Sequence, residues 1–146
     1  MKNHITVTFD AISVNEAFAR MVVSAFLAGG NATVEDITDV KTAVSEAVTN
    51  AIIHGYEEKK GSVTMTCAME GPGLVIYIQD YGKGIADVHK AREPFYTTKP
   101  ELERSGLGFA FMETFMDGVE VISGVGQGTT VIMKKILKDD HEYATA

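Results

Sequence analysis

Apolar residues recur along the chain with two different periods, and the change from one to the other predicts where strands and helices lie. The stretch Ile5–Phe9 alternates apolar and polar residues, as in a strand that buries one face. Ser13 and Glu16 then have the spacing of a capping box, which predicts the start of a helix. We expect this first helix to stop at the glycine pair at positions 29–30.

A second helix is predicted to begin after Thr33, whose hydroxyl can cap its first turn, and to end near His54 and Gly55. Glu35 and Asp36 fall in that first turn, where negative charge suits the helix dipole. The apolar residues of this helix share one face and are Ile37, Val40, Val44, Ala47, Val48 and Ala51.

A β-hairpin is predicted to follow the second helix. Its two strands are residues 63–67 and 74–78, and the turn between them is marked by the sequence Gly-Pro-Gly at positions 71–73. Residues 82–105 contain two prolines and no sustained apolar period. We therefore expect a mostly irregular segment there, and an irregular segment of this length usually has a function.

The remaining predicted elements are a helix and a hairpin, and together with the earlier ones they predict the fold class. A third helix is predicted from Gly106 to Met116, and a final hairpin from residues 119–122 and 130–133. This order of elements predicts an α+β two-layer sandwich, in which a mostly antiparallel sheet carries helices on one face. A chain of 146 residues is expected to form a single domain, residues 1–146.

Composition narrows the possible partners. A net charge of -7 argues against a nucleic-acid partner, because binding phosphates requires a basic face. Cys67 is the only cysteine, so neither an internal disulfide nor a cysteine metal site is expected. No apolar run approaches the roughly 20 residues of a membrane span, and the N-terminus lacks the apolar segment of a signal peptide. We expect a cytoplasmic protein with no membrane partner.

Three polar residues follow one edge of the second predicted helix. Glu46, Asn50 and His54 are spaced by four residues, which places them beside the apolar stripe. A carboxylate can accept a proton from a hydroxyl or a water, and an amide oxygen suits Mg²⁺. The spacing alone fits a solvated helix edge better, and His54 fits a structural role at the helix end.

Two glycine motifs flank the irregular segment. Asp80 ends a predicted strand and is followed by Gly82 and Gly84, which allow a tight turn and close approach of a ligand. The same pattern also occurs in ordinary strand-ending turns. Gly106 and Gly108 open the third helix, where free N–H groups suit phosphate oxygens. They do not form a dinucleotide-binding motif, because a polar loop rather than a strand precedes them.

Together these motifs resemble a known ATP-binding fold. The stretches that carry the resemblance are Ser45–Gly55, Asp80–Gly84, Phe95–Pro100, Gly106–Gly108 and Gly128–Thr130. In this order they resemble the Bergerat-type fold of gyrase, heat-shock chaperone, histidine-kinase and mismatch-repair ATPases. Within that superfamily the chain is similar to the small anti-sigma-factor serine kinases. The resemblance covers roughly the whole chain.

The resemblance implies ATP and Mg²⁺ as cofactors. It implies that Glu46 is the general base, that Asn50 binds the metal, and that Asp80 accepts a hydrogen bond from the adenine amino group. Such an acceptor would select adenine over guanine. Residues 88–105, with their cations, would form a lid over the nucleotide. The other nucleotide contacts that it implies are Gly82, Gly84, Thr98, Lys99, Arg104, Gly106, Gly108 and Thr129.

The implied function is that of an anti-sigma factor with ATP-dependent protein serine kinase activity. Such a protein binds and inhibits an RNA polymerase sigma factor, phosphorylates an anti-anti-sigma factor on serine, and forms a homodimer. Overall likeness favours a sporulation sigma factor over a stress-response one. Two other interpretations are a nucleotide-gated clamp without catalysis and the catalytic part of a sensor histidine kinase. The second would need a further helical domain, for which 146 residues leave no room.

One residue of the first helix is a candidate for partner binding. Arg20 is the only basic residue between Ile5 and Val40. A single arginine on an amphipathic helix is usually solvated. Arginine is nevertheless enriched in protein interfaces, so we expect Arg20 to contact a carboxylate on a partner.

Overall fold

The structure is a computed structural model that describes residues 2–56, 60–93 and 108–138. Its five strands are β1 (Lys2–Asp10), β2 (Ser62–Glu70), β3 (Gly73–Asp80), β4 (Gly118–Ser123) and β5 (Thr129–Ile136). Its helices are α1 (Val14–Ala28), α2 (Val34–Asn50), α3 (Val88–Ala91) and α4 (Gly108–Phe115), and a π-helical segment (Ala51–Gly55) continues α2.

The strands form one antiparallel sheet in the order β1-β2-β3-β5-β4. Alternate residues of the central strands are buried, and α1, α2 and α4 cover that face of the sheet. This arrangement confirms the predicted α+β two-layer sandwich and both predicted hairpins. The largest fully buried side chains of the core are Leu27, Met65, Leu74, Ile76, Ile78, Met112 and Met133.

The other face of the sheet is open to solvent. On β1 and β2, threonine hydroxyls pair across the strands, Thr6 with Thr66 at 3.1 Å and Thr8 with Thr64 at 3.0 Å. Nearer the centre and the far edge the exposed residues include the apolar or aromatic Tyr77, Ile122 and Ile136, together with the ion pair of Glu120 and Lys134. Because successive residues of a strand point to opposite faces of the sheet, one set of side chains packs in the core and the other set lies on the exposed surface.

Helix caps agree with the sequence in one case and not in the other. Thr33 accepts a hydrogen bond from the N–H of Asp36 at 3.1 Å, so the predicted cap of α2 is confirmed. The capping box predicted at Ser13 is wrong, because Ser13 has helical dihedral angles and makes no side-chain cap hydrogen bond. The Glu16 carboxylate instead accepts a hydrogen bond from Ser45 on α2. Because the Glu16 carboxylate makes this tertiary contact with Ser45, it does not form the local capping box.

The segment after β3 contains a short helix that the sequence did not predict. Residues 88–91 form the short helix α3, which Asp87 caps by accepting a hydrogen bond from the N–H of Lys90 at 3.0 Å. The rest of the proposed lid, from residue 94 onward, lies outside the described residues, as does the predicted helix start at Gly106. In the part of the chain that is described, no helix is long and apolar enough to cross a membrane.

Candidate functional site

A cavity of about 550 Å³ opens between the helical layer and the inner ends of β3 and β5. Its walls come from the end of α2 and the π-helical segment, from α3 and the loop before it, and from the first turn of α4. A volume of this size lies within the range of small-molecule sites. Of the residues predicted to form a site, Asn50, Asp80, Gly84, Gly108 and Thr129 line it.

Asp80 forms the polar floor of the cavity. Its side chain is buried at the end of β3, with 5% of the residue exposed, and Oδ1 accepts a hydrogen bond from the N–H of Gly82 at 3.0 Å. Burial raises the pKa of Asp80, while backbone hydrogen bonds from Gly82 and Thr129 oppose part of that rise. This carboxylate is an acceptor held in place by backbone N–H groups, and no cation among the described residues pairs with it.

Glycines at Gly55 and Gly82 allow three pieces of chain to meet at Asp80. A Cβ atom on Gly55 would lie 2.8 Å from Asp80 Cγ, and one on Gly82 would lie 2.0 Å from the Gly55 carbonyl oxygen. That carbonyl accepts a hydrogen bond from the N–H of Lys83 at 2.9 Å. The end of the π-helical segment is therefore in direct backbone contact with the loop after β3.

The same loop is held from the other side by the turn between β4 and β5. Gly84 and Gly128 have φ angles of 75° and 73°, a conformation that other residues rarely adopt. A Cβ atom on Gly84 would lie 1.9 Å from the Gly124 carbonyl oxygen. Backbone hydrogen bonds from Gly126 to Lys83, at 2.6 Å, and from Gly128 to Gly82, at 3.1 Å, join the two segments.

Sequence patterns gave no indication that Tyr56 supports this site. Its hydroxyl accepts a hydrogen bond from the N–H of Tyr81 at 2.6 Å and donates one to the Ser62 carbonyl oxygen at 2.6 Å. The ring packs against the backbone of Gly61. Tyr56 thus connects Tyr81, the residue after Asp80, to the start of β2. A single tyrosine belongs to no sequence motif, so this role could not be predicted from the sequence.

Ser123 is a second supporting residue that the sequence did not reveal. Its Oγ lies 2.8 Å from Thr129 Oγ1 and 2.9 Å from the Gly128 carbonyl oxygen, and it accepts a hydrogen bond from the N–H of Ile85 at 2.7 Å. These contacts join the loop after β3 to the beginning of β5. The contact depends on the antiparallel register Ser123 to Thr129, which is not readable from local sequence.

Glu46 and Asn50 meet the start of α4. Asn50 lines the cavity, whereas Glu46 lies beside it and is half-buried. A Cβ atom on Gly108 would be 3.3 Å from Glu46 Oε2 and 3.3 Å from Asn50 Nδ2, so only a small residue leaves these polar groups free of a close contact. Two further cations, Lys83 and Lys90, also line the cavity and were not predicted as site residues.

The other predicted site residues either do not line the cavity or lie outside the described residues. Thr98, Lys99, Arg104 and Gly106 fall outside the described residues. Gly82 contacts the cavity wall through Gly55 without lining the cavity itself. Within residues 2–56, 60–93 and 108–138, no group of three or more His, Cys, Asp or Glu side chains could hold a metal ion.

Arg20 lies on α1 and does not line the cavity. Its Nε lies 2.8 Å from Glu16 Oε1, while the side chain as a whole keeps 42% of its surface exposed. This Nε is buried and finds no aligned hydrogen-bond acceptor among the described residues, so the contact is an ion pair by distance rather than a directed hydrogen bond. Glu16 also accepts the Ser45 hydrogen bond, which links the arginine to α2.

Burial of Asp80 predicts a specific dependence of stability on pH. Because its pKa is raised in the folded chain, stability should be lost as the pH rises from its ordinary value of 3.8 through the raised folded value. Asp80→Asn has no charge to bury and should escape this loss. In urea unfolding at several pH values, the variant should therefore gain stability relative to the unchanged chain as the pH rises. A constant difference between the two chains would contradict this prediction.

Comparison with known proteins agrees with the observed fold. The family described as the histidine kinase-like ATPase domain matches residues 9–135. The structure of the RsbU and RsbW domains of a Mycobacterium tuberculosis protein has a TM-score of 0.68 to this chain at 24% identity, and covers 92% of this chain and 32% of that chain. At that identity the similarity concerns the fold.

Curated relatives extend the comparison over nearly the whole sequence. The anti-sigma F factor of Anoxybacillus flavithermus is 52% identical over 138 residues, which are 94% of each chain. That of Clostridium acetobutylicum is 53% identical over 135 residues, 92% of this chain and 94% of the relative. Bacillus mycoides has an anti-sigma F factor that is 50% identical over 142 residues, 97% of each chain. This chain therefore belongs to the histidine kinase-like ATPase domain family and, within it, to the anti-sigma F factors.

Proposed function

We propose that this anti-sigma factor binds ATP with Mg²⁺ and phosphorylates an anti-anti-sigma factor on serine, while it sequesters an RNA polymerase sigma factor. The observation that carries the proposal is the buried Asp80 carboxylate on the floor of a cavity beside the polar edge of α2. The names of the relatives favour the sporulation sigma factor F as the partner. A sigma factor works with RNA polymerase, so we place this activity in the cytoplasm.

The adenine is proposed to occupy the inner part of the cavity. There Asp80 can accept a hydrogen bond from the exocyclic amino group, and Thr129 lies across from it on β5. Gly55 and Gly84 line this part of the cavity, and their lack of side chains lets them pack against Asp80 and the Gly124 carbonyl. A ligand that donates a hydrogen bond to a buried acceptor gains affinity, and a ligand that presents a second acceptor loses affinity.

The phosphates and the metal are proposed to lie towards Asn50 and the first turn of α4. The Asn50 amide offers Mg²⁺ an oxygen ligand, and phosphate oxygens usually supply others. When bound, ATP supplies the phosphoryl group and Mg²⁺ offsets its charge. The cations Lys83 and Lys90 line the same cavity. The residues proposed to cover the phosphates are Thr98, Lys99, Arg104, Gly106 and Gly108.

Glu46 is proposed to act as the general base. It lies one helical turn before Asn50 and close to Gly108, so it is beside the region proposed for the phosphates. Its carboxylate would accept the proton of the substrate serine hydroxyl as the oxygen attacks. A nucleotide-gated clamp without catalysis remains the second candidate, and its ATP site would need no such base.

The partners are proposed to bind at α1. Its exposed surface combines Arg20 with the apolar side chains Val14, Phe18 and Met21, which are spaced along one side of the helix. An apolar surface with an arginine at its edge suits a partner that brings apolar groups and a carboxylate. The link from Arg20 through Glu16 to Ser45 joins this surface to α2.

A homodimer is also proposed, as in the resemblance described above. The open face of the sheet offers Tyr77, Ile122 and Ile136 as exposed apolar side chains that a second copy could cover.

The net charge of -7 makes direct binding of nucleic acid unfavourable.

Gly55→Ala tests the nucleotide site. The added methyl group would lie 2.8 Å from Asp80 Cγ and would displace the floor of the cavity. We expect ATP affinity, measured by calorimetry with Mg²⁺, to fall by more than about tenfold. Gly29→Ala is the matched control, since its added Cβ would come no closer than 3.7 Å to a neighbour. Equal ATP affinity in the two variants would count against the proposed position of the base.

Glu46→Gln separates catalysis from binding. The amide keeps the size and hydrogen bonding of the side chain but cannot accept the proton, so phosphoryl transfer should fall by about 10²–10⁴-fold. Single-turnover transfer from radiolabelled ATP to the serine of an anti-anti-sigma protein measures this rate. Binding of ATP and of the sigma factor should persist. Transfer at the original rate would exclude Glu46 as the base, and no transfer by the unchanged chain would favour the clamp.

Arg20→Ala tests the partner surface. Loss of an interface arginine can cost about 2 kcal/mol, or roughly 30-fold in affinity. We expect that loss for at least one of the two protein partners, with ATP affinity unchanged, and we expect the partners to compete for the site. Lys60→Ala removes an exposed cation elsewhere and should have no such effect. Dissociation constants within twofold of the original for both partners would show that Arg20 is only solvated.

A further inference from the structure

The hydroxyl of Ser123 lies behind Thr129, outside the lining of the cavity. It has three hydrogen-bond neighbours: the N–H of Ile85 at 2.7 Å, the carbonyl oxygen of Gly128 at 2.9 Å and Thr129 Oγ1 at 2.8 Å. Ser123 is therefore fully engaged, although neither the family motifs nor the mechanism above assigns it a role.

Counting protons fixes the direction of each of these hydrogen bonds. A hydroxyl has one proton to donate, and a carbonyl oxygen can only accept. Ser123 must therefore give its proton to the Gly128 carbonyl, and it accepts from Ile85. The remaining contact requires Thr129 to be the donor. The Thr129 proton consequently points to Ser123, and only the lone pairs of Oγ1 are left for a ligand.

The neighbour of Thr129 on the cavity floor is also an acceptor. Asp80 and Thr129 are directly paired in the register of β3 and β5, and both line the cavity. We propose that Ser123 is a specificity-determining positioning residue, which makes Thr129 an acceptor so that the floor selects a 6-aminopurine over a 6-oxopurine. This inference rests on the proposed ATP site.

The chemistry of the two purines explains the selection. A 6-amino group brings hydrogens to this pair of acceptors, directly or through one water. A 6-oxo group places lone pairs at the same position, where the two acceptors offer it no hydrogen although the neighbouring N1–H is still a donor, and leaving buried polar groups unpaired is costly. A threonine hydroxyl that is free to rotate could donate to the oxo group instead, so the selection depends on the contact with Ser123.

The test compares the affinities of ATP and inosine triphosphate by calorimetry. Ser123→Ala removes the acceptor for the Thr129 proton, so the preference for ATP should fall by about tenfold. Thr129→Val removes the acceptor at the floor while it leaves the bonds of Ser123 to Ile85 and Gly128 intact, and it should lower the preference similarly. Thr129→Ser keeps the hydroxyl and should keep the preference. Ser24→Ala, which removes a hydroxyl bonded to the Arg20 carbonyl oxygen, is the matched control.

The outcomes separate a role in selectivity from a structural one. If Ser123 only supports the loop at Ile85, its alanine variant will weaken both nucleotides equally and the ratio will not change, which would overturn the inference. If the Ser123→Ala chain does not fold, Thr129→Val becomes the test. An unchanged ratio of the ATP and inosine triphosphate affinities in that variant would also overturn the inference. Failure of the original chain to bind either nucleotide would overturn the proposed function and this inference with it.

Discussion

The cavity depends on one buried carboxylate at the end of a central strand. Asp80 is shielded from solvent and has no cation partner in the part of the chain that the structure describes, and backbone N–H groups from Gly82 and Thr129 partly compensate its burial. Such an arrangement costs stability when the carboxylate is ionised, and a ligand that donates a hydrogen bond to it would recover part of that cost. The glycines around it serve the same end, because Gly55 and Gly128 bring backbone to within contact of this residue.

The second constraint is the way α2 ends. The helix continues into the π-helical segment Ala51–Gly55, and short π-helical segments often occur at functional sites. The wider turn brings Gly55 against Asp80 while Asn50, one turn earlier, still faces the cavity. One continuous element thus carries the polar edge proposed for the metal and the backbone that walls the proposed adenine pocket.

A third set of contacts reaches from this element to the outside of the molecule. Glu16 of α1 accepts a hydrogen bond from Ser45, which directly precedes Glu46, and its carboxylate is also paired with Arg20. The contact explains why Glu16 does not cap its own helix. It also gives α1, the proposed partner surface, a direct connection to the helix proposed to carry the base. The link between the proposed partner surface and the helix proposed to carry the base is polar and partly buried.

The sequence by itself predicted the five strands and the three longer helices, because strand and helix periods, turn glycines and the Thr33 cap are local properties of the chain, but it did not predict α3 or the π-helical segment. Its motifs also indicated five residues that line the cavity, namely Asn50, Asp80, Gly84, Gly108 and Thr129. Only the tertiary structure decided which polar groups meet across elements, since such contacts depend on strand register and helix packing. Ser123 reaches Thr129 through that register, and Tyr56 reaches Tyr81 through chain folding. For the same reason Glu16, locally a capping residue, became a tertiary partner of Ser45.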